Sequence, residues 1–222
     1  MLLFLTLSLF VFVIAGDAEQ LRHLTLLVWS LLVELASRLK RPVSEDGVQQ
    51  LLALADGNEQ TLQLVATYYA SQNRSQDTIA VLKLLPESED VLTQMGMLHM
   101  SANENEAAQE VLTRALRLLE KEHGVQSLYL AKTLWLLGLA LQGAKRPHDA
   151  QRHLLRLMAL VKKENNAEFE ARVSRQLAIV SAQQGLPNQH LYYLKYALRL
   201  AEPFPELKSA LEQELAITLK KH

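Results

Sequence analysis

The residue types able to do chemistry are scattered along this chain. His148, Asp149 and His153 form its one local cluster with ligand character, but a separation of five does not set two imidazoles on one helix face. Glu104 and Glu106, within Asn103–Glu106, are expected to be part of a solvated turn rather than an acid–base pair. Asn73–Arg74–Ser75 spells a glycosylation acceptor, yet it falls between two helical patterns and reads as a turn. Tyr192, Tyr193 and Tyr196 could stack on a ligand, but their helical spacing points to packing. No Gly-rich phosphate loop, H-E-x-x-H or G-x-S-x-G is present. The absence of cysteine excludes disulfides, zinc–thiolate sites and thiol nucleophiles. A net charge of −1 gives no reason to expect nucleic acid. The expectation is a protein that is not an enzyme, with no cofactor, no metal and no small-molecule substrate.

The elements that carry these residues are helices. In residues 128–163 apolar positions recur through Leu130, Leu134, Leu137 and Leu141. They break at Gly143–Pro147 and resume through Ala150, Leu154, Leu157 and Val161. Pro147 suits a first helical turn, so the stretch is an αα-hairpin. Small residues stand where the two helices must approach, and neither helix can bury its stripe alone. Comparing the chain with itself gives four such units. They are Ala66 with Thr78 and Leu82; Gly96 with Ala108, Leu112 and Ala115; Gly138 with Ala150, Leu154 and Leu157; and Ala178 with His190, Leu194 and Ala197. In each, the second marked position lies twelve residues after the first.

On these residues the chain resembles the tetratricopeptide repeat (TPR) family. The family's pattern is a small and a large residue on helix A, then small, large, small on helix B. The second unit fits best, with Leu92, Met95, Gly96, Ala108, Leu112 and Ala115. The fourth departs at His190, where Ala is usual, and the third at Leu157. Units of 42 and 40 residues, counted between the helix A markers Gly96, Gly138 and Ala178, look like the kinesin-light-chain type. The implied fold is all-α: a right-handed superhelix of TPR-like hairpins over 43–222, preceded by one or two N-terminal hydrophobic helices. Ser44–Ala55 reads as a helix capped by Ser44, and Pro205–Lys221 as a helix covering the open end of the array.

The resemblance also implies a groove lined by helix A residues. Carried over unit by unit, it consists of Gln63 and Thr67; Thr93, Met97 and Met100; Lys132, Trp135, Leu139 and Gln142; and Arg172, Arg175, Ile179 and Gln183. Met97, Met100, Trp135 and Leu139 would give an apolar floor, and Lys132, Arg172 and Arg175 a basic edge. Gln63/Thr67 and Thr93/Met97 stand where chaperone-binding members place a Lys/Asn carboxylate clamp, so that clamp is absent. The expected partner is a protein or peptide segment in the groove.

Residues 1–41 read differently. Met1–Ala15 carries no charge, and a second apolar stretch, Leu24–Val33, ends before Arg38, Lys40 and Arg41. Three readings stay open. The segments form a membrane hairpin with both chain ends cytosolic, since Arg22 alone stands in the loop Gly16–His23 against three cations beyond. Alternatively residues 1–18 are a signal peptide cut after Ala18, leaving an exported adaptor in periplasm or lumen. In the third, only the first segment spans, and 21–39 is an amphipathic helix on the bilayer or under the repeats. The first makes residues 1–41 an anchor at an inner or plasma membrane. The layout then looks like bacterial inner-membrane assembly factors, such as the TPR component of Pel-type exopolysaccharide machinery. The expected role is a membrane-anchored scaffold that recruits partners on the cytosolic side.

Overall fold

A computed structural model of the chain describes residues 18–39 and 42–221, and every regular element among them is helical. The first apolar segment, Met1–Ala15, and the cations Lys40 and Arg41 lie outside the described residues. The chain divides into two compact units, Met1–Glu87 and Ser88–His222.

The first unit holds α1 (Ala18–Leu39), α2 (Glu45–Ala55), α3 (Glu59–Ser71) and α4 (Ser75–Leu82). Ser44 caps α2 by accepting from the Gly47 amide at 3.3 Å, with Glu45 and Asp46 in the first turn. Asn58 does the same for α3, accepting from Thr61 N at 3.0 Å. The Arg74 guanidinium ties the α3–α4 turn back to α2. It donates to Glu45 at 2.5 Å and to Asp77 at 2.7 Å, and lies 4.5 Å from the Tyr69 ring centroid.

α1 differs from the expected membrane hairpin. Residues 18–23, assigned above to a loop, are its first turns, with Glu19 favourably placed at the N-terminus. The stretch Leu24–Val33 is not a span: among the described residues no helix is long and apolar enough to cross a membrane. One side of α1 is packed against protein instead. Val33 and Ala36 are buried, and the Trp29 ring lies flat enough on α2 that a Cβ on Gly47 would fall 2.1 Å from it.

The second unit contains three antiparallel hairpins and a final helix. They are α5 (Glu89–Ser101) with α6 (Asn105–His123), α7 (Ala131–Gly143) with α8 (Pro147–Lys163), and α9 (Ala167–Gln183) with α10 (Pro187–Leu200). α11 (Pro205–Lys221) follows. Within a hairpin the glycine of helix A receives the leucine of helix B. A Cβ on Gly96 would meet Leu112 at 2.6 Å, and one on Gly138 would meet Leu154 at 2.8 Å. Both leucines are among the positions that marked the repeat, sixteen residues after their glycines. Leu112, Leu134, Leu137, Leu154, Leu157 and Leu177 share one core.

The turns repeat as faithfully as the pairs. Asn73, Asn103, Lys145 and Gly185 all adopt positive φ, 58°, 59°, 56° and 71°. Each is followed by an amide that bonds five residues back: Arg74 to Tyr69, Glu104 to His99 and Arg146 to Leu141 at 2.9 Å, and Leu186 to Ser181 at 3.0 Å. This Schellman closure places Asn73, Asn103 and Gly185 in the left-handed region that their types tolerate, and Lys145 there at a steric cost. Asn73, the sequon residue, therefore occupies a structural turn.

Candidate functional site

The residues expected to line the groove sit on α5, α7 and α9, apart from Gln63 and Thr67, which lie on α3 of the first unit. Packing between α5 and α7, and a bond from the Gln176 amide to Gln142 Oε1 between α7 and α9, hold these helices side by side. Along each, the residues facing the partner helix are buried and the next ones round are half-exposed. The expected site residues fall in that second group. Trp135, Leu139, Ile179, Met100 and Gln142 are half-buried, Lys132 and Arg172 are exposed, and Met97 is 47% exposed. Thr93 departs from this, being buried on the core side of α5.

Part of the Trp135 ring packs on the core of the second unit, alongside Met100, Leu136 and Tyr193. Phe169 of α9 packs on the same core, its ring centroid 6.0 Å from that of Trp135 and tilted by 57°. Phe169 was not among the residues expected in the groove. It lies in the first turn of α9, where its amide is held by Asn166 Oδ1 at 3.0 Å, and only the neighbouring helix reveals its relation to Trp135.

The basic edge is mostly answered from within the chain. Arg175 Nε donates to both carboxylate oxygens of Glu214 on α11, at 2.9 and 3.1 Å, and Nη2 joins it. Those bonds raise the guanidinium pKa above its ordinary value. Arg172 pairs with Glu168, one turn earlier, at 2.7 Å. Lys132 is left exposed, with no carboxylate partner among the described residues. An acidic partner would thus meet one free cation and two that are already paired.

The other candidates resolve into structure. Asp149 accepts from Arg146 at 2.6 Å and from Arg152 at 2.7 Å. Burial, helped by Arg152 and Arg156, lowers the pKa of His153 below its usual value. No group of three or more His, Asp or Glu able to hold a metal occurs among the described residues. His190, the misfit of the fourth unit, uses both ring nitrogens: Nδ1 lies 2.8 Å from the Ala178 carbonyl and Nε2 lies 3.0 Å from Thr218 Oγ1 on α11. Its size at a small position is accommodated by this bridge to the last helix. Tyr196 donates to Glu170 at 2.5 Å, and Tyr193 packs on the core, while Tyr192 remains 62% exposed. An open cleft of about 420 Å³ beside α1 has His23 as its one titratable lining residue, so no acid–base set converges there.

Helical hairpins with a glycine–leucine contact at a fixed register, closed by the same turn and stacked side by side, define a helical-repeat fold of the TPR kind. Residues 87–163, which hold α5 to α8, match the tetratricopeptide repeat family. Among solved structures, a MamA protein superposes with a TM-score of 0.63 at 19% identity, over 82% of this chain and 94% of that one. YrrB, described as a TPR protein with an unusual peptide-binding site, gives 0.61 at 14% identity, over 89% and 92%. Kinesin light chain TPR-like repeats from Podosopora anserina give 0.61 at 13%, over 82% and 96%. At such identities the likeness is one of fold. No curated protein matches the chain in sequence.

Proposed function

We propose that the protein is a non-enzymatic scaffold whose α5, α7 and α9 surface takes a peptide or protein segment along the inner side of a right-handed superhelix. One observation carries this reading. Trp135 is only half-buried, 6.0 Å from the Phe169 ring that packs on the same core, with half-buried Leu139, Ile179 and Met100 among the residues of the same helix A surface. A tryptophan held on a rigid helix and ringed by partly covered apolar groups is the composition of a binding hot spot. The TPR match over 87–163 and the likeness to a peptide-binding TPR protein support it. Lys132 favours an acidic residue beside the partner's apolar anchor. The test is photo-crosslinking from positions 97 and 139 to a bound segment, repeated with Trp135→Ala. Adducts that vanish in the variant while circular dichroism shows it still folded at the assay temperature support the reading. Equal crosslinking in both proteins refutes it.

The scaffold is further proposed to be attached to a membrane through residues 1–41, with the repeats on the cytosolic side. The uncharged run Met1–Ala15 and the cations Arg38, Lys40 and Arg41 favour this. A reporter active only outside the cytosol, fused after residue 222, stays silent if so, and strong activity overturns it. The exported adaptor is the second reading. α1 begins at Ala18, the residue after which a leader peptidase would cut. N-terminal sequencing that finds Glu19 at the start of the mature chain decides for it.

A further inference from the structure

α1 is apolar on two sides, and the described structure covers one. Trp29, Val33 and Ala36 face α2 and α3. Leu27, Leu31, Leu35 and Leu39 recur every four residues on another side, each between 53 and 58% exposed, and Leu32 lies beside them. At about 100° per residue, four-residue steps give a slowly winding stripe. Contiguous exposed leucines mark an interaction surface.

We infer that α1 lies flat on an anionic lipid bilayer, with the Leu27–Leu31–Leu35–Leu39 stripe in the headgroup–acyl boundary and its Trp29–Val33–Ala36 side holding the first unit. The inference rests on the membrane-attachment reading above and specifies how the surface is made. Two observations select lipid over a second copy of the chain. The uncharged run Met1–Ala15 joins α1 through Gly16 and Asp17 alone, so burying that run in a bilayer brings the stripe to the same surface. A dimer through the stripe would leave the run uncovered. Arg38 lies along the last turns of the stripe, paired with Glu34 at 2.6 Å, and Lys40 and Arg41 follow Leu39 in the sequence. Clustered cations beside an interfacial helix are drawn to anionic headgroups.

The chain has no cysteine, so a single introduced one carries a unique spin label. The full-length protein would be labelled in turn at Leu27→Cys, Leu31→Cys, Leu35→Cys and, as a control on the exposed side of α2, Ala53→Cys. Each is bound to vesicles of phosphatidylglycerol and phosphatidylcholine, with helicity checked by circular dichroism. The expected result is that labels at 27, 31 and 35 become accessible to oxygen and shielded from a polar paramagnet, while the label at 53 stays in water. Pure phosphatidylcholine vesicles should weaken the partition by roughly tenfold or more, as loss of two or three cation–headgroup attractions implies. Labels at 31 and 35 that stay in water on vesicle-bound protein overturn the inference and leave attachment through residues 1–15 standing. Labels already shielded without lipid overturn it too. A doubled mass in sedimentation then assigns the stripe to a second copy, and a single-chain mass assigns it to the chain's own cover. Failure to bind either vesicle sinks the attachment reading together with this one.

Discussion

α1 and α9 are both rich in apolar residues, and they end in opposite situations. α9 is enclosed by α8 and α10, and Ala171 and Ala178 share a cluster with Leu207 and Leu211 of α11. Its Val173, Leu177 and Val180 are fully buried. Even its serines are inside, Ser174 and Ser181 each donating to the carbonyl four residues back at 2.8 Å. α1 has α2 and α3 on one side and keeps a row of leucines in the open. The difference lies in the neighbours, because each repeat helix is flanked before and behind by others of its kind.

The comparison can be broken directly by truncating one leucine from each helix. Leu177→Ala should lower stability by about 2–5 kcal/mol, since the transfer term is joined by a cavity that the packed neighbours cannot close. Leu31→Ala, measured without lipid, should stay within about 0.5 kcal/mol of wild type. Similar losses at the two positions, read from denaturant midpoints at constant slope, would show that α1 is covered after all.

Gly138→Leu probes the repeat contact itself. With Leu154 atoms 2.8 Å from where a Cβ would sit, the substitution should cost roughly 1–3 kcal/mol or more through overpacking. An unaltered melting temperature would mean the α7–α8 contact is not as tight as described.

Glu214→Gln should act mainly on binding. Removing the carboxylate frees Arg175 and should strengthen capture of acidic peptides. Stability should change by about 1 kcal/mol or less, because the pair is partly exposed. Unchanged affinity for acidic and neutral peptides alike would remove Arg175 from the binding surface.

The smallest expected effect is one of pH, in the first unit. Hydrogen bonds from Arg74 and then Tyr69 hold the Glu45 carboxyl at about 2, below the ordinary 4.5. A depressed folded-state pKa gives stability that is complete above about 4.5 and disappears as the pH falls through about 2. Glu45→Gln should therefore flatten the acid dependence of unfolding in that window, followed by Trp29 fluorescence in a Trp135→Phe background. An identical acid profile in wild type and variant would show that the network does not bear on folding.

Much of the repeat architecture was legible because it rests on local pairs. The twelve-residue offset from Gly96 to Ala108 and from Gly138 to Ala150 reflects a hairpin whose turn has fixed length, so the register survives in the sequence alone. The cap at Ser44 and the helix opened by Pro205 are likewise short-range. What escaped was set at a distance. Arg175 looks like a free groove cation until α11 brings Glu214 to it, thirty-nine residues on. His190 looks like a flaw in the fourth unit until Thr218 receives it. Phe169 has no marker of its own until α7 lays Trp135 nearby. α1 stayed open between a span and a helix packed under the repeats for a related reason: Leu24–Val33 is apolar enough to suggest lipid, and Gly47, which admits the Trp29 ring, is not a hydrophobic signal.

The central claim is that the surface carrying Trp135 holds a partner segment, and peptide selection tests it most directly. A random peptide library would be panned on the full-length protein, and the enriched sequences titrated against wild type and Trp135→Ala. The account predicts peptides with an apolar anchor next to an acidic residue. Their affinity per folded molecule should fall by about 2 kcal/mol, roughly thirtyfold, in the variant, with circular dichroism showing it still helical at the assay temperature. Enriched peptides that bind Trp135→Ala as tightly as wild type, or that are lost only on changing Tyr192, would contradict it and move the binding surface to α10.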